Sequence, residues 1–251
     1  MRESGEEVDY LAFVPDGEPT LDVHLGEEIA ALKVLGISIA VISNASLVSL
    51  EGVRDALSRA DWVSLKVDAA TEAVWKRINR PHRSLSLEGV QEGILEFARR
   101  FRGTLTTETM LVRGINDSPE ELAEIARFLT EVKPAIAYIA VPTRPPAEPW
   151  VKPPPEGTLA RAYAIFAEEL PRVELLIGYE GDAFSATGDA AADILSITAV
   201  HPLREEALRE LLARDGASWE VVERLIASGE LVEREYQGHR FYLRRLPNAW
   251  G

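Results

Sequence analysis

The chain has 251 residues, 46% of them hydrophobic, with a formal charge of −14, and no apolar run is long enough to cross a bilayer. The length admits one large or two modest domains with a real core, and the negative charge argues against nonspecific attraction to nucleic acid or anionic lipid. With no cysteine there is no disulfide, no thiolate nucleophile and no cysteine-ligated metal. Four scattered histidines, His24, His82, His201 and His239, argue against a histidine metal site, so no metal ligand is assigned. Residues 1–7 are polar and acidic, unlike a signal peptide, and a cytoplasmic protein is expected.

In chain order, residues 10–14 read as a buried strand. Residues 25–35 read as a helix ended by Gly36. Strand 37–42, helix 50–57 and strand 62–67 follow. Then come helix 87–101, strand 105–112, helix 119–132 with proline in its first turn, strand 136–141, helix 160–170 and a sixth strand at 173–177. Apolar strands without clean alternation, each followed by a helix, imply a parallel sheet covered by helices. An open or partial barrel fits this repetition at least as well as a doubly wound sheet. Residues 143–155 are rich in proline, which favours a stiff, extended path. A lid over the sheet's rim and a plain surface connector are both open for this segment.

A second module begins near Asp193. Residues 203–212 read as a helix, Ser218 as the N-cap of a helix over 219–226, and residues 230–235 and 240–246 as strands around Gln237-Gly238-His239. Helix, turn, helix and hairpin is the winged helix-turn-helix pattern. Its second helix carries Glu220 and Glu223 against Arg224, whereas a recognition helix normally meets phosphates with positive charge. DNA binding is therefore disfavoured against binding a protein or peptide, or packing on the first domain. The expected division is residues 1–190 and 191–251.

In parallel β/α folds, ligands lie beyond the carboxyl ends of the strands. Glu18 sits there between Gly17 and Pro19. The group suits an ammonium, or is an ordinary turn in which Thr20 or Asp22 caps the next helix. Ser64, Lys66 and Asp68 alternate along the third strand and so share a face. They suit a hydroxylated ligand such as a ribose, or hold a Lys66–Asp68 ion pair. Asn44 caps a helix or meets a ligand carboxylate. Glu108 on the fourth strand is an acid or base candidate, or the partner of Lys66. Residues 114–119 form a turn into a capped helix, or a loop over an adenine. Met110 and Val112 read as core. No phosphate loop, nucleophile elbow or metal-ligand spacing is present, and no catalytic residue is assigned.

The segments "GEPT", "SNA", "SLKVDA" and "TMLVRGIND", in that order after successive strands, resemble the radical S-adenosylmethionine (SAM) superfamily, closest to members with a GGEPTL-type segment. The resemblance covers residues 9–177. It implies a partial (β/α)6 barrel, here missing its first strand, and an iron–sulfur enzyme that reductively cleaves S-adenosylmethionine at a 4Fe–4S cluster to make a 5′-deoxyadenosyl radical. It further implies that Gly17, Glu18, Pro19 and Thr20 meet the amino group. Ser43 and Asn44 meet the methionine end. Ser64, Lys66 and Asp68 meet the ribose or carboxylate, and Val112, Gly114, Ile115 and Val141 pack on adenine. The family's CxxxCxxC loop, which holds the cluster, has no counterpart in a cysteine-free chain. The expectation is an inactive fragment of such an enzyme. The alternative is a non-catalytic S-adenosylmethionine- or nucleoside-binding protein whose winged helix binds a partner. A macromolecular substrate, and a reductase or ferredoxin for the full-length enzyme, are the expected partners; a membrane is not.

Overall fold

The computed structural model describes residues 8–14, 17–177 and 187–245. The expectation on residues 1–7 and the last position of the strand expected at 240–246 lie outside these. The chain divides into two compact units. The first takes residues up to Pro142 and Trp150–Ile177; the second takes Thr143–Pro149 and the residues after 177.

The first unit alternates strands and helices: β1 (Tyr10–Phe13), α1 (Leu25–Leu32), β2 (Ser38–Ser43), α2 (Glu51–Leu57), β3 (Trp62–Lys66), α3 (Glu72–Ile78), α4 (Leu87–Arg100), β4 (Thr104–Met110), α5 (Pro119–Val132), β5 (Ile136–Ala140), α6 (Glu156–Glu169) and β6 (Val173–Leu176). The six strands form one sheet in the order β1-β2-β3-β4-β5-β6, every pair parallel. One face of it carries Ile39, Val41, Val63, Leu65 and Ile139, which pack with Ile94, Phe97, Leu122 and Phe166 of the helices into a single core. Side chains alternate across a strand, so the other face carries a different set in register. Ile42, Ser64, Thr106 and Ile136 form one row, and Lys66, Glu108, Tyr138 and Glu174 the next. The charged residues of the central strands, Lys66 and Glu108, are thus on the face away from that core, as are Ser64 and Thr106, whereas Ser43, Thr107 and Thr109 are buried on the core face.

Local signals terminate the helices as their residue types dictate. Gly36, at φ +70°, ends the turn after α1. The Ser86 hydroxyl accepts from Gly89 N at the start of α4, and the Ser118 hydroxyl accepts from Glu121 N ahead of Pro119 in α5. Gly93 of α4 is packed directly on a neighbouring main chain: a Cβ there would lie 2.6 Å from Ser49 N and 2.7 Å from Val48 C. The sequence reading omitted α3, only two turns long, whose Trp75 is buried.

The second unit comprises α7 (Ala190–Val200), β7 (Leu203–Arg204), α8 (Glu205–Arg214), α9 (Glu220–Ala227), β8 (Leu231–Tyr236) and β9 (His239–Arg244). Its antiparallel sheet runs β7-β9-β8. Ile194, Leu208, Leu211, Val222, Leu231 and Tyr242 make its core. The hairpin turns through Gln237 (φ 51°) and Gly238 (φ 77°), the two positive values a primed turn requires. Two expectations are corrected here. The helix α7 was not foreseen, because Ala190–Val200 shows no amphipathic stripe. The Ser218 hydroxyl does not cap α9: the helix begins at Glu220 without a side-chain cap, and Ser218 contributes its carbonyl to Val221 N.

Candidate functional site

Past the ends of β1 and β2, one carboxylate organises two loops. Glu18 Oε1 accepts from the Thr20 hydroxyl (2.7 Å), Thr20 N (3.1 Å) and the Ser43 hydroxyl (2.6 Å), and Oε2 accepts from Asn44 N (2.6 Å). Four donors on a carboxylate that is 8% exposed replace the water it gives up. The Ser43 hydroxyl also accepts from Ala45 N, and Asn44 Oδ1 accepts from Ser46 N. These bonds hold Ala45 at φ 62°, a region a side chain normally avoids. Gly17 is exposed, and a Cβ on it would meet nothing within 4 Å. Pro19 and Thr20 are buried in the turn behind it.

Lys66 of β3 and Glu108 of β4 are register partners, with Lys66 Nζ 2.8 Å from Glu108 Oε1. Of the two roles open for Glu108, the structure places it beside Lys66, and the Lys66–Asp68 pair does not form. Asp68 instead accepts from Met110 N and Asn79 Nδ2, both at 2.8 Å. Ser64 is buried one row below. Next to Glu108 in register is Tyr138, whose phenol is pushed up by burial and then by the Glu174 carboxylate.

The loop after β4 is built around Asn116, which is fully buried. Its Nδ2 donates to the carbonyls of Asp68 and Met110, and its Oδ1 accepts from Val112 N, each at 2.8 Å. Ile115 N closes the turn onto Val112 O. Gly114 supplies φ 68°, its N–H donates to Asp117 Oδ1 (2.7 Å), and open space lies over its Cα. Leu111 N donates to Ala140 O, which brings Val141 beside the exit of β4.

The assigned residues therefore lie along one rim in three groups: Gly17–Thr20 with Ser43 and Asn44, then Ser64, Lys66 and Asp68, then Val112, Gly114, Ile115 and Val141. A small cavity of about 20 Å³ brings Asn44, Lys66, Asp68 and Asn79 together. The sequence reading missed Asn79 and Glu121, and gave Asn116 no role of its own within the 114–119 turn. Glu121 accepts from Ala70 N, Thr71 N and the Thr71 hydroxyl, which fixes the loop after β3. Ser118 and Glu121 at capping-box spacing signal the start of a helix, but not this reach. Among the described residues, no helix is long and apolar enough to span a membrane, and no group of three or more His, Cys, Asp or Glu is placed to hold a metal.

A UPF0026 protein of Methanocaldococcus jannaschii is 40% identical over 245 residues, 97% of this chain and 76% of its own length. Two solved structures share the architecture of the first unit. One is a radical SAM methyltransferase from Sphaerobacter thermophilus (18% identity, TM-score 0.56, 72% of this chain and 54% of that one). The other is a domain of the pyruvate-formate lyase-activating enzyme from Bacteroides vulgatus (20%, 0.53, 67% and 98%). At such identities they speak for the fold. The sequence model of the Radical SAM superfamily matches residues 4–129, which run from before the Glu18 loop through the Asn116 turn, and the chain belongs to that superfamily.

Proposed function

We propose that the rim binds S-adenosylmethionine. The observation that carries this is the Glu18 network. Its carboxylate is saturated by the chain's own donors, so its role is to shape the loop, and the ligand's ammonium is left to the main chain around exposed Gly17. In this reading Ser43 and Asn44 line the methionine end, and Ser64, Lys66 and Asp68 the ribose or carboxylate. Adenine lies in the open space over Gly114, flanked by Val112, Ile115 and Val141.

The superfamily implies a 4Fe–4S cluster, whose iron is held by thiolates. These 251 residues include no cysteine, so the residues present do not fit a cluster, and no reductive step is assigned to them. Our reading is that this chain by itself binds the sulfonium nucleoside without cleaving it. It is either the cofactor-binding part of a radical SAM enzyme, served there by a reductase or ferredoxin, or a binding protein in its own right. We read the order α7-β7-α8-α9-β8-β9 as a winged helix-turn-helix and that module as a partner-binding one in a cytoplasmic protein. Glu220 and Glu223 on α9 count against duplex DNA as its partner.

Titration calorimetry with S-adenosylhomocysteine tests the site. Gly17→Val fills the open space without touching the Glu18 bonds. Binding by the parent chain and its loss in Gly17→Val is the expected result; no heat with the parent chain refutes the site. Release of 5′-deoxyadenosine after incubation with iron, sulfide, reductant and S-adenosylmethionine would refute the claim that this chain does not cleave it.

A further inference from the structure

A groove of about 520 Å³ in the first unit is lined by Lys76, Arg77, Arg80, Arg113, Ile115 and Trp150. Four cations and an indole meet there, on a chain whose total charge is −14. The sequence concentrates them. Residues 76–83 read "KRINRPHR", and no Asp or Glu occurs between Glu72 and Glu88. Among the described residues, Lys76 pairs with Glu72 (3.0 Å) at an exposed i,i+4 spacing, a contact worth little and readily exchanged. Arg77 and Arg113 make no ion pair there.

The backbone holds this arrangement at a cost. Arg80 adopts φ 45°, which a residue with a Cβ avoids at a cost of about 1 kcal/mol or more. In that conformation its guanidinium lies over the Trp150 ring, 5.6 Å from the centroid. Arg113 N donates to Lys152 O (2.9 Å) and Arg113 Nε to Pro153 O (3.1 Å). The proline-rich segment is thereby tied to the loop after β4, with the indole at the groove. The side chain next to Arg80, Asn79, is bonded to Asp68 of the rim, and Ile115 belongs to both. The groove therefore ends at the candidate cofactor site.

We propose that this groove binds a single-stranded nucleic acid, with backbone phosphates on Lys76, Arg77, Arg80 and Arg113 and a base stacked on Trp150. An indole backed by a guanidinium is a sequence-tolerant stacking platform, and rows of cations beside such a platform track a sugar–phosphate backbone. An acidic peptide would meet the same cations but has no flat base to place on the ring. The negative charge of the rest of the chain does not forbid the contact, because charges more than about 10 Å away are largely screened at physiological salt. That a bound strand would lie beside S-adenosylmethionine rests on the preceding reading; that the groove binds it does not.

Fluorescence anisotropy of a labelled homopolymeric oligoribonucleotide, titrated with the full chain over a salt series, tests the proposal. Engaging three or four phosphates gives a slope of log K against log salt of about −2 to −3. Arg80→Asn, which tolerates the same backbone, combined with Arg113→Gln, weakens binding more than tenfold and flattens the slope by about 1 or more. Trp150→Leu weakens it roughly tenfold. Arg234→Gln on β8 leaves it unchanged. No binding by the parent chain, parent-like binding by the double variant, or loss confined to Arg234→Gln overturns the proposal. Equally effective displacement by polyglutamate would assign the groove to acidic peptides and overturn it too. Gly17→Val separates the two readings: it abolishes S-adenosylhomocysteine binding while the oligonucleotide still binds.

Discussion

Lys66 and Glu108 face one another across β3 and β4 in direct register, 2.8 Å apart, with side-chain exposures of 28% and 18%. The two opposite charges lie within ion-pair distance on the same sheet face. A double-mutant cycle of Lys66→Met and Glu108→Leu is expected to be strongly non-additive. Each single change takes this contact away from a half-buried charge that stays, the double removes both charges, and the coupling is about 1–2 kcal/mol. Additive urea midpoints would show that the pair is solvated rather than coupled.

Glu18→Gln keeps the size of the side chain and replaces one acceptor oxygen by a donor. Four donors then converge on a group with one oxygen to offer them. The expected loss is about 1–3 kcal/mol, seen as a lower urea midpoint at constant slope. An unchanged midpoint would mean that water, not Ser43 and Thr20, satisfies the carboxylate.

Asn116→Ala strips partners from two carbonyls and one N–H at a fully buried position and should cost about 2–4 kcal/mol. Asn116→Asp is expected to be worse, because it sets a carboxylate oxygen against the carbonyls of Asp68 and Met110. If aspartate is tolerated as well as alanine, the hydrogen-bond scheme around the β4 exit is wrong.

His201 sits in the second unit, and burial, followed by the Arg144 guanidinium, pushes its imidazole down from 6.5 to about 4. The unfolded chain therefore binds the extra proton first. Stability is full above about pH 6.5 and declines as pH falls from there towards 4, by about 1–3 kcal/mol. His201→Gln should remove this part of the pH profile. A decline that survives the substitution would place its origin elsewhere.

The succession of strands and helices along the first unit was legible because its signals are local. Apolar runs of strand length end in Gly, Pro, Ser or Asn, and each is followed by a helical period. The choice between a Lys66–Asp68 and a Lys66–Glu108 pair was not legible, since it depends on the register of β3 against β4. Asn116 binding Asp68 O and Glu121 binding Thr71 join residues about fifty positions apart, and no periodicity encodes such a reach. Helix α7 escaped for the opposite reason: its polar residues, Asp193, Ser196 and Thr198, do not gather on one face, so no apolar stripe stands out.

The contact of Gly93 with the Val48–Ser49 main chain acts as a fixed gauge. Two backbones at van der Waals distance cannot drift closer, and the absent side chain keeps them from being wedged apart. Helix α4 is thereby tied to the segment that follows Ser43 and Asn44. One methyl group added at position 93 would wedge α4 away from that segment and displace the loop that carries Asn44.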